Sequence, residues 1–315
     1  MSTMKAIRII DSEPVLTDMP RPVGDGVMID IVAASICGSD LHMIDAGIAE
    51  GRVLGHEFAG TTPDGTAVAV EPIVSCGECV HCLTGSRNHC EEGASGFGMY
   101  VDGGMTEQII VPEGALVALP SGLDLPNASL VEPIAVAVHA VRRARVVAGD
   151  RVAVVGVGPI GLSVVAVCRA NGIEVDVQAR HEHQKMAAER LGANVGTDGR
   201  YDVVFDAAAT TESLADSIRL AKVEGRIGLV GTIWTTAELS MAVCMKEVEI
   251  IPSMMYGRTA TGRDVDAAAS ILARSPQIAD VMITHRFPLD AAADGFGAAR
   301  SRGEGAIKVV FEPSL

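Results

Sequence analysis

Along the first third of the chain, apolar positions come in short alternating runs broken by glycine, proline and aspartate. Val27-Met28-Ile29-Asp30-Ile31-Val32 and Ala67-Val68-Ala69-Val70 are typical, and over residues 5–119 this texture predicts short strands in a mainly β region. After Leu130 the runs lengthen, and strand-like pieces alternate with helix-like ones in the manner of βαβ units. Residues 151–155 predict a buried strand, followed by the turn Gly156-Val157-Gly158-Pro159-Ile160-Gly161 and an apolar helical run through Cys168. Further strands are predicted at 174–177, 202–205, 226–230 and 248–251. Several are almost wholly apolar, as expected of parallel strands covered by helices on both faces, so the sheet is expected to be doubly wound. From 281 to 315 the short strands return, ending in Ile307-Lys308-Val309-Val310-Phe311. The expected fold class is α/β. A mainly β domain is formed by 1–135 and 275–315, with a cysteine-rich lobe at 76–90, and a doubly wound dinucleotide-binding domain occupies 136–274.

Composition narrows the function classes. Forty acidic against twenty-five basic residues give a formal charge of -15, which disfavours a phosphate backbone or an anionic membrane as the main partner. No apolar run approaches the roughly 20 residues that span a bilayer, and Met1 to Asp11 lacks the apolar core of a secretory signal. A cytoplasmic protein with no nucleic-acid or membrane partner is expected. No segment repeats at a period of about 20 to 50 residues, which removes solenoids and propellers.

Gly156, Gly158 and Gly161 give G-x-G-x-x-G directly after a predicted strand and at the mouth of a predicted helix, the context a dinucleotide fingerprint requires. The first glycine permits the tight turn, the second lets backbone approach a pyrophosphate, and the third lets helix and strand pack closely. Pro159 and Ile160 open a helix whose free N–H groups face the anion. An acid about 20 positions further on normally binds the ribose 2′-hydroxyl of NAD. Here the chain reads Asp176-Val177-Gln178-Ala179-Arg180-His181. A cation there pairs with a 2′-phosphate that a carboxylate would repel, so NADP(H) is expected over NAD(H), with Arg180 and His181 as candidate contacts. The competing reading makes Arg180 a solvated helix-start residue and gives the ribose to Asp176 or Glu182.

Seven cysteines are present, four of them in Cys76-Gly77-Glu78-Cys79-Val80-His81-Cys82 and Cys90. The C-x2-C-x2-C-x7-C spacing supplies enough soft ligands to close a tetrahedral zinc site with no open position, which is a structural role. His81 or His89 could replace one cysteine. An iron–sulfur cluster also takes four cysteines, but the short ferredoxin motifs add a Cys-Pro that is missing here.

Three further segments carry chemistry: Cys37-Gly38-Ser39-Asp40-Leu41-His42, Gly55-His56-Glu57-Phe58-Ala59-Gly60 and Leu130-Val131-Glu132-Pro133. Singly, Cys37 reads as a buried thiol, His56 as a core histidine, and Glu57 or Glu132 as a solvated acid. Together with the four-cysteine lobe and G-x-G-P-I-G, in this order, they resemble the zinc-dependent medium-chain dehydrogenase/reductase family of alcohol dehydrogenases. The likeness spans nearly the whole chain. It is nearest the branch of polyol, threonine, glucose and bacterial secondary-alcohol dehydrogenases, because Glu132 stands where liver-type enzymes carry a cysteine.

That resemblance implies a GroES-like catalytic domain beside a Rossmann domain, and two zinc ions per chain. Cys37 and His56 would be fixed ligands of the catalytic zinc, with Glu57 or Glu132 completing the protein's share. One thiolate, one imidazole and one carboxylate leave the open position that a catalytic zinc needs. The resemblance assigns proton removal to Ser39, the cofactor ribose and His42; the plainer roles are helix capping for Ser39 and a surface imidazole for His42. It also implies a homodimer or homotetramer.

The segment from Thr61 to Val70 is about ten residues shorter than the family pattern, which predicts a trimmed hairpin and weakens any transfer of substrate identity. Trp234 is assigned neither to the nicotinamide nor to the core. The leading expectation is zinc- and NADP-dependent interconversion of a secondary alcohol or polyol and its ketone or aldehyde. An NAD-preferring sugar, polyol or amino-alcohol dehydrogenase and a non-catalytic dinucleotide-binding redox sensor are the alternatives.

Overall fold

The computed structural model describes residues 2–93 and 95–315. The chain forms two compact units, one of residues 1–132 with 257–315 and one of residues 133–256. The first boundary falls inside the helix Val131–Arg143. The second lies at 256/257, upstream of the expected crossing at 275. The physical reason is that the helix Asp264–Arg274 buries Val265, Ala268, Ile271 and Leu272, and Arg263 just before it donates to the carbonyls of Gly114 and Leu116 in the first unit.

The first unit is built on a seven-stranded sheet. Its order is Ile283–Phe287, Lys308–Phe311, Val27–Ser35, Glu57–Thr61, Ala67–Val70, Leu116–Ala118, with Gln108–Val111 also pairing Val27–Ser35. The alternating pattern seen in the sequence buries Ile29, Ile31, Phe58, Val68 and Val70 in one core with Phe296 and Phe311. The strands Glu57–Thr61 and Ala67–Val70 are joined by a tight turn in which the Thr62 N–H donates to the Thr66 carbonyl at 3.0 Å. Short strands Ile73–Val74 and Ser95–Gly96 close the base of the cysteine lobe.

The second unit is a six-stranded parallel sheet in the order Asn194–Val195, Val175–Gln178, Val152–Val155, Tyr201–Asp206, Ala221–Leu229, Glu249–Pro252. This is the 3-2-1-4-5-6 arrangement of a Rossmann fold. All four residues of Val152–Val155 are buried, which explains why the central strand reads as an unbroken apolar run. The strand order reverses between Val152–Val155 and Tyr201–Asp206, and ligands of such sheets bind at the carboxyl ends beside this switch. Among the described residues no helix is long and apolar enough to cross a membrane.

Candidate active site

Two groups of metal-ligating side chains converge among the described residues. In one, single ligand atoms of Cys76, Cys79, Cys82 and Cys90 all lie within 4.8 Å of one another. The Sγ of Cys76 is 3.8 Å from that of Cys82 and 3.5 Å from that of Cys90. A tetrahedron of sulfurs about 2.3 Å from zinc has edges of about 3.8 Å, so the spacing fits. Backbone N–H groups donate into the sulfurs: Cys76 to Cys90 at 3.4 Å, Cys79 to Cys76 at 3.4 Å and Glu91 to Cys79 at 3.5 Å. The Glu91 and Cys82 N–H groups hold the Cys79 thiol down at about 6. Cys90 receives the Cys76 N–H, yet desolvation and its sulfur neighbours push it up to about 11. Four thiols this close resist full deprotonation without a cation, and a metal removes that conflict. The four cysteines meet without a histidine; His81 and His89 stand edge to face, with ring centroids 6.3 Å apart.

The second group unites Cys37, His56 and Glu57, again with ligand atoms within 4.8 Å. Their convergence follows from strand register. Ser35, at the end of its strand, pairs with Glu57, at the start of the next, which brings the residues just beyond each end together. Cys37 caps the helix Gly38–Asp45, and its N–H donates to the Asp40 carboxylate at 2.8 Å. The other oxygen of Asp40, fully buried, lies 3.4 Å from His56 Nδ1. That leaves His56 Nε2 turned toward the cysteine side, 3.3 Å from Ser39 Oγ. Burial lowers the His56 pKa, but the charges of Asp40 and Cys37 outweigh it and hold the ring well above its usual value. A carboxylate behind a ligating imidazole is the arrangement that orients the ring and raises its basicity.

Lys308 is the residue that sequence reading passed over. Only 1% exposed, it donates to both oxygens of Glu57 at 2.7 Å and to the Ile36 carbonyl at 3.2 Å. Desolvation disfavours its charge, but Glu57 first, then Cys37 and Glu132, raise its pKa. Glu132 is buried at 8% exposure and is not part of the 4.8 Å group. Ser39 is half-buried, and His42, one turn along the same helix, is exposed.

In the Rossmann unit, Gly156 has a φ of +86°, and a Cβ there would lie 2.8 Å from the Ala208 Cβ. A Cβ on Gly161 would lie 2.0 Å from the Gly156 carbonyl oxygen, whereas at Gly158 nothing stands within 4 Å. The first and third glycines are thus demanded by packing, and the second faces open space. The helix Pro159–Ala170 follows with Gly158 as its cap and no side-chain hydrogen bond to its first turn, so its leading N–H groups remain for an anion.

At the end of Val175–Gln178, Asp176 is engaged elsewhere: it accepts from Tyr201 Oη at 2.7 Å and from Asn194 Nδ2 at 2.9 Å. Glu182 pairs with Lys185 at 3.1 Å. Arg180 is exposed, and His181, half-buried, stacks on His183 with centroids 5.6 Å apart. Trp234 is 41% exposed and so is not a core residue.

Comparison with known proteins bears on these sites. Residues 24–121 match the family described as alcohol dehydrogenase GroES-like domain, and residues 159–273 match zinc-binding dehydrogenase. The chain is 32% identical to L-galactonate-5-dehydrogenase of Escherichia coli K12 over 310 residues, covering 89% of each chain. It is similar in structure to a short chain alcohol dehydrogenase of Escherichia coli CFT073 solved with NADH, with a TM-score of 0.86 and 26% identity over 99% of this chain and 100% of that one. A zinc-binding dehydrogenase of Sinorhizobium meliloti solved with NADP gives a TM-score of 0.86 and 27% identity, again over 99% and 100%.

Proposed function

The chain belongs to the zinc-dependent medium-chain alcohol dehydrogenase family, and from that premise we propose that it oxidises a secondary hydroxyl of a polyol or sugar acid, or reduces the matching ketone, with zinc and NADP(H). The observation that carries this reading is the convergence of Cys37 and His56, with the Lys308-paired Glu57 beside them, within 4.8 Å. When bound, zinc supplies the Lewis acidity that eases proton loss from an alcohol and polarises a carbonyl, and the nicotinamide accepts or donates the hydride.

Each residue then has a role. Cys37 and His56 hold the metal, and Asp40 orients His56 from behind. Glu57 has both oxygens occupied by Lys308, so Glu132 is assigned as the third ligand and Glu57 as the anchor of the lysine. Ser39 and His42 lie three residues apart on one helix face, half-buried and exposed in turn, and pass the proton from the site toward water. The four-cysteine lobe holds a second zinc that serves structure alone. The same reading keeps the chain in a reducing, cytoplasmic setting as a homodimer or homotetramer.

NADP(H) is preferred because Asp176 and Glu182 are both engaged while Arg180 stands exposed at the end of the second strand. The NADH held by the Escherichia coli CFT073 structure favours an NAD-preferring enzyme as the second reading. Turnover of polyols, sugar acids and secondary alcohols with each cofactor, by wild type and Arg180→Asp, tests both. The expected result is NADP-dependent turnover, with the KM for NADP rising about 10- to 100-fold in the variant, the worth of a charge-assisted hydrogen bond or two. An unchanged preference in the variant would remove Arg180 from cofactor choice, and wild-type turnover with NAD in place of NADP would establish the NAD reading.

A further inference from the structure

Asp206 ends the strand Tyr201–Asp206, at the carboxyl edge of the Rossmann sheet, and is fully buried. It pairs in register with Val155, the residue before Gly156. Its side chain takes no part in the sheet. One oxygen accepts the N–H groups of Ala208 at 3.1 Å and Ala209 at 2.9 Å, and the other accepts the Ser213 hydroxyl at 3.1 Å. Its backbone carbonyl accepts the N–H groups of Val230 and Gly231, both at 3.0 Å. One buried carboxylate therefore organises the loop 207–210 and the start of the helix Thr211–Leu220, where Thr210 and Ser213 cap each other.

That loop is the wall of the phosphate turn. A Cβ on Gly156 would run into Ala208, whose Cβ and N would be 2.8 and 3.0 Å away. Ala209, held by Asp206, carries a φ of +52°, a left-handed conformation that alanine leaves readily when nothing holds it. Burial pushes the Asp206 carboxyl up, and the donors from Ala209, Ser213 and Ala208 oppose the rise. Three donors on a carboxylate are what keep a buried charge tolerable.

We propose that Asp206 is a positioning residue for the dinucleotide: it locks loop 207–210 against Gly156 and so holds the glycine turn in the shape that receives the pyrophosphate. The inference rests on the dinucleotide reading of that turn and adds a residue outside the glycine motif. It concerns the part common to both cofactors, so it predicts affinity without selectivity.

Fluorescence titration of wild type, Asp206→Ala and Asp206→Asn with NADPH and with NADH tests it. In Asp206→Ala, Kd is expected to rise about tenfold for both cofactors alike, a change of the size that losing charge-assisted hydrogen bonds produces. The KM for the alcohol at saturating cofactor should stay unchanged. Asp206→Asn keeps an acceptor for Ala208 and Ala209 and can donate to Ser213, so it should restore most of the affinity. A Tm lowered with Kd unchanged in the alanine variant would overturn the proposal and leave Asp206 a purely structural residue. Loss of NADPH affinity alone would also overturn it, because that places Asp206 with the 2′-phosphate. Failure of wild type to bind either cofactor would instead sink the dinucleotide reading itself, and this inference with it.

Discussion

Lys308 Nζ lies 2.7 Å from both carboxylate oxygens of Glu57, and neither side chain is more than 1% exposed. A buried pair is worth little against a well-packed apolar one, but breaking it by removing one partner leaves an uncompensated charge. Lys308→Met should therefore destabilise the fold by about 3–5 kcal/mol, measured by urea unfolding of the metal-free protein. Glu57→Gln should cost less, because the amide oxygen still accepts from the lysine. Equal stability of Lys308→Met and wild type would mean that the pair does not hold Glu57.

The same pair separates the two glutamates. With Glu57 anchored, Glu132→Gln should lose the catalytic zinc while Glu57→Gln retains it, read as zinc per chain in a background where the four-cysteine lobe is filled. Loss of zinc from Glu57→Gln alone would reverse the assignment.

Asp40 lies behind His56, its carboxylate 3.4 Å from Nδ1. Asp40→Asn removes the charge behind the imidazole and should weaken zinc binding about 10- to 100-fold, the usual effect of such a partner. The pH dependence has a definite sign. Zinc needs neutral His56, and Asp40 and Cys37 hold the metal-free ring protonated above its ordinary value. Zinc affinity should thus fall as pH drops from that raised pKa downward, and the fall should begin at lower pH in Asp40→Asn. Competition with a chelator across pH reads both effects.

Lys246 caps the helix Thr211–Leu220 from a distance in sequence, donating to the carbonyls of Ile218 at 2.7 Å, Arg219 at 2.9 Å and Ala221 at 2.8 Å. A cation on the last carbonyls of a helix stabilises it by about 1 kcal/mol. Lys246→Met should lower stability by that order with the cofactor Kd unaltered.

Much of the fold could be read from periodicity. The expected strands at 151–155, 174–177 and 202–205 lie within a residue or so of Val152–Val155, Val175–Gln178 and Tyr201–Asp206; the first is an unbroken apolar run, and the other two keep buried apolar residues among polar ones. The strand expected at 226–230 begins earlier, at Ala221, where Lys222, Val223 and Glu224 are exposed and leave no apolar signal. The second domain crossing was not legible either. Residues 264–274 have the helical texture of a Rossmann segment, and contacts far along the chain, of Arg263 with Gly114 and Leu116 and of Arg258 N–H with the Gly85 carbonyl, assign the stretch to the first unit.

Within the candidate site, residues picked out by type and spacing, the four cysteines, Gly156 and Gly161, Cys37 and His56, are the ones the structure brings together or packs tightly. Residues whose role depends on a partner distant in sequence are not picked out that way. Lys308 sits 251 positions from Glu57, and its one local signal was a lysine inside an apolar strand, the kind of residue rarely buried unless paired. Asp206 likewise stood in an ordinary strand end, and Asp40 stood unassigned inside a segment read for its neighbours.

The dehydrogenase reading requires that Cys37 and His56 hold a metal the reaction uses. The most direct test is nicotinamide absorbance during polyol oxidation by zinc-loaded wild type, Cys37→Ala and Cys37→Ala with added zinc, each with its zinc content determined. Wild type should turn over, whereas Cys37→Ala should carry one zinc fewer per chain and run at least about 1000-fold slower, a loss that added zinc does not restore, as losing several kcal/mol of Lewis-acid stabilisation implies. Cys37→Ala turning over at the wild-type rate, or wild type turning over equally well without zinc, would contradict that reading.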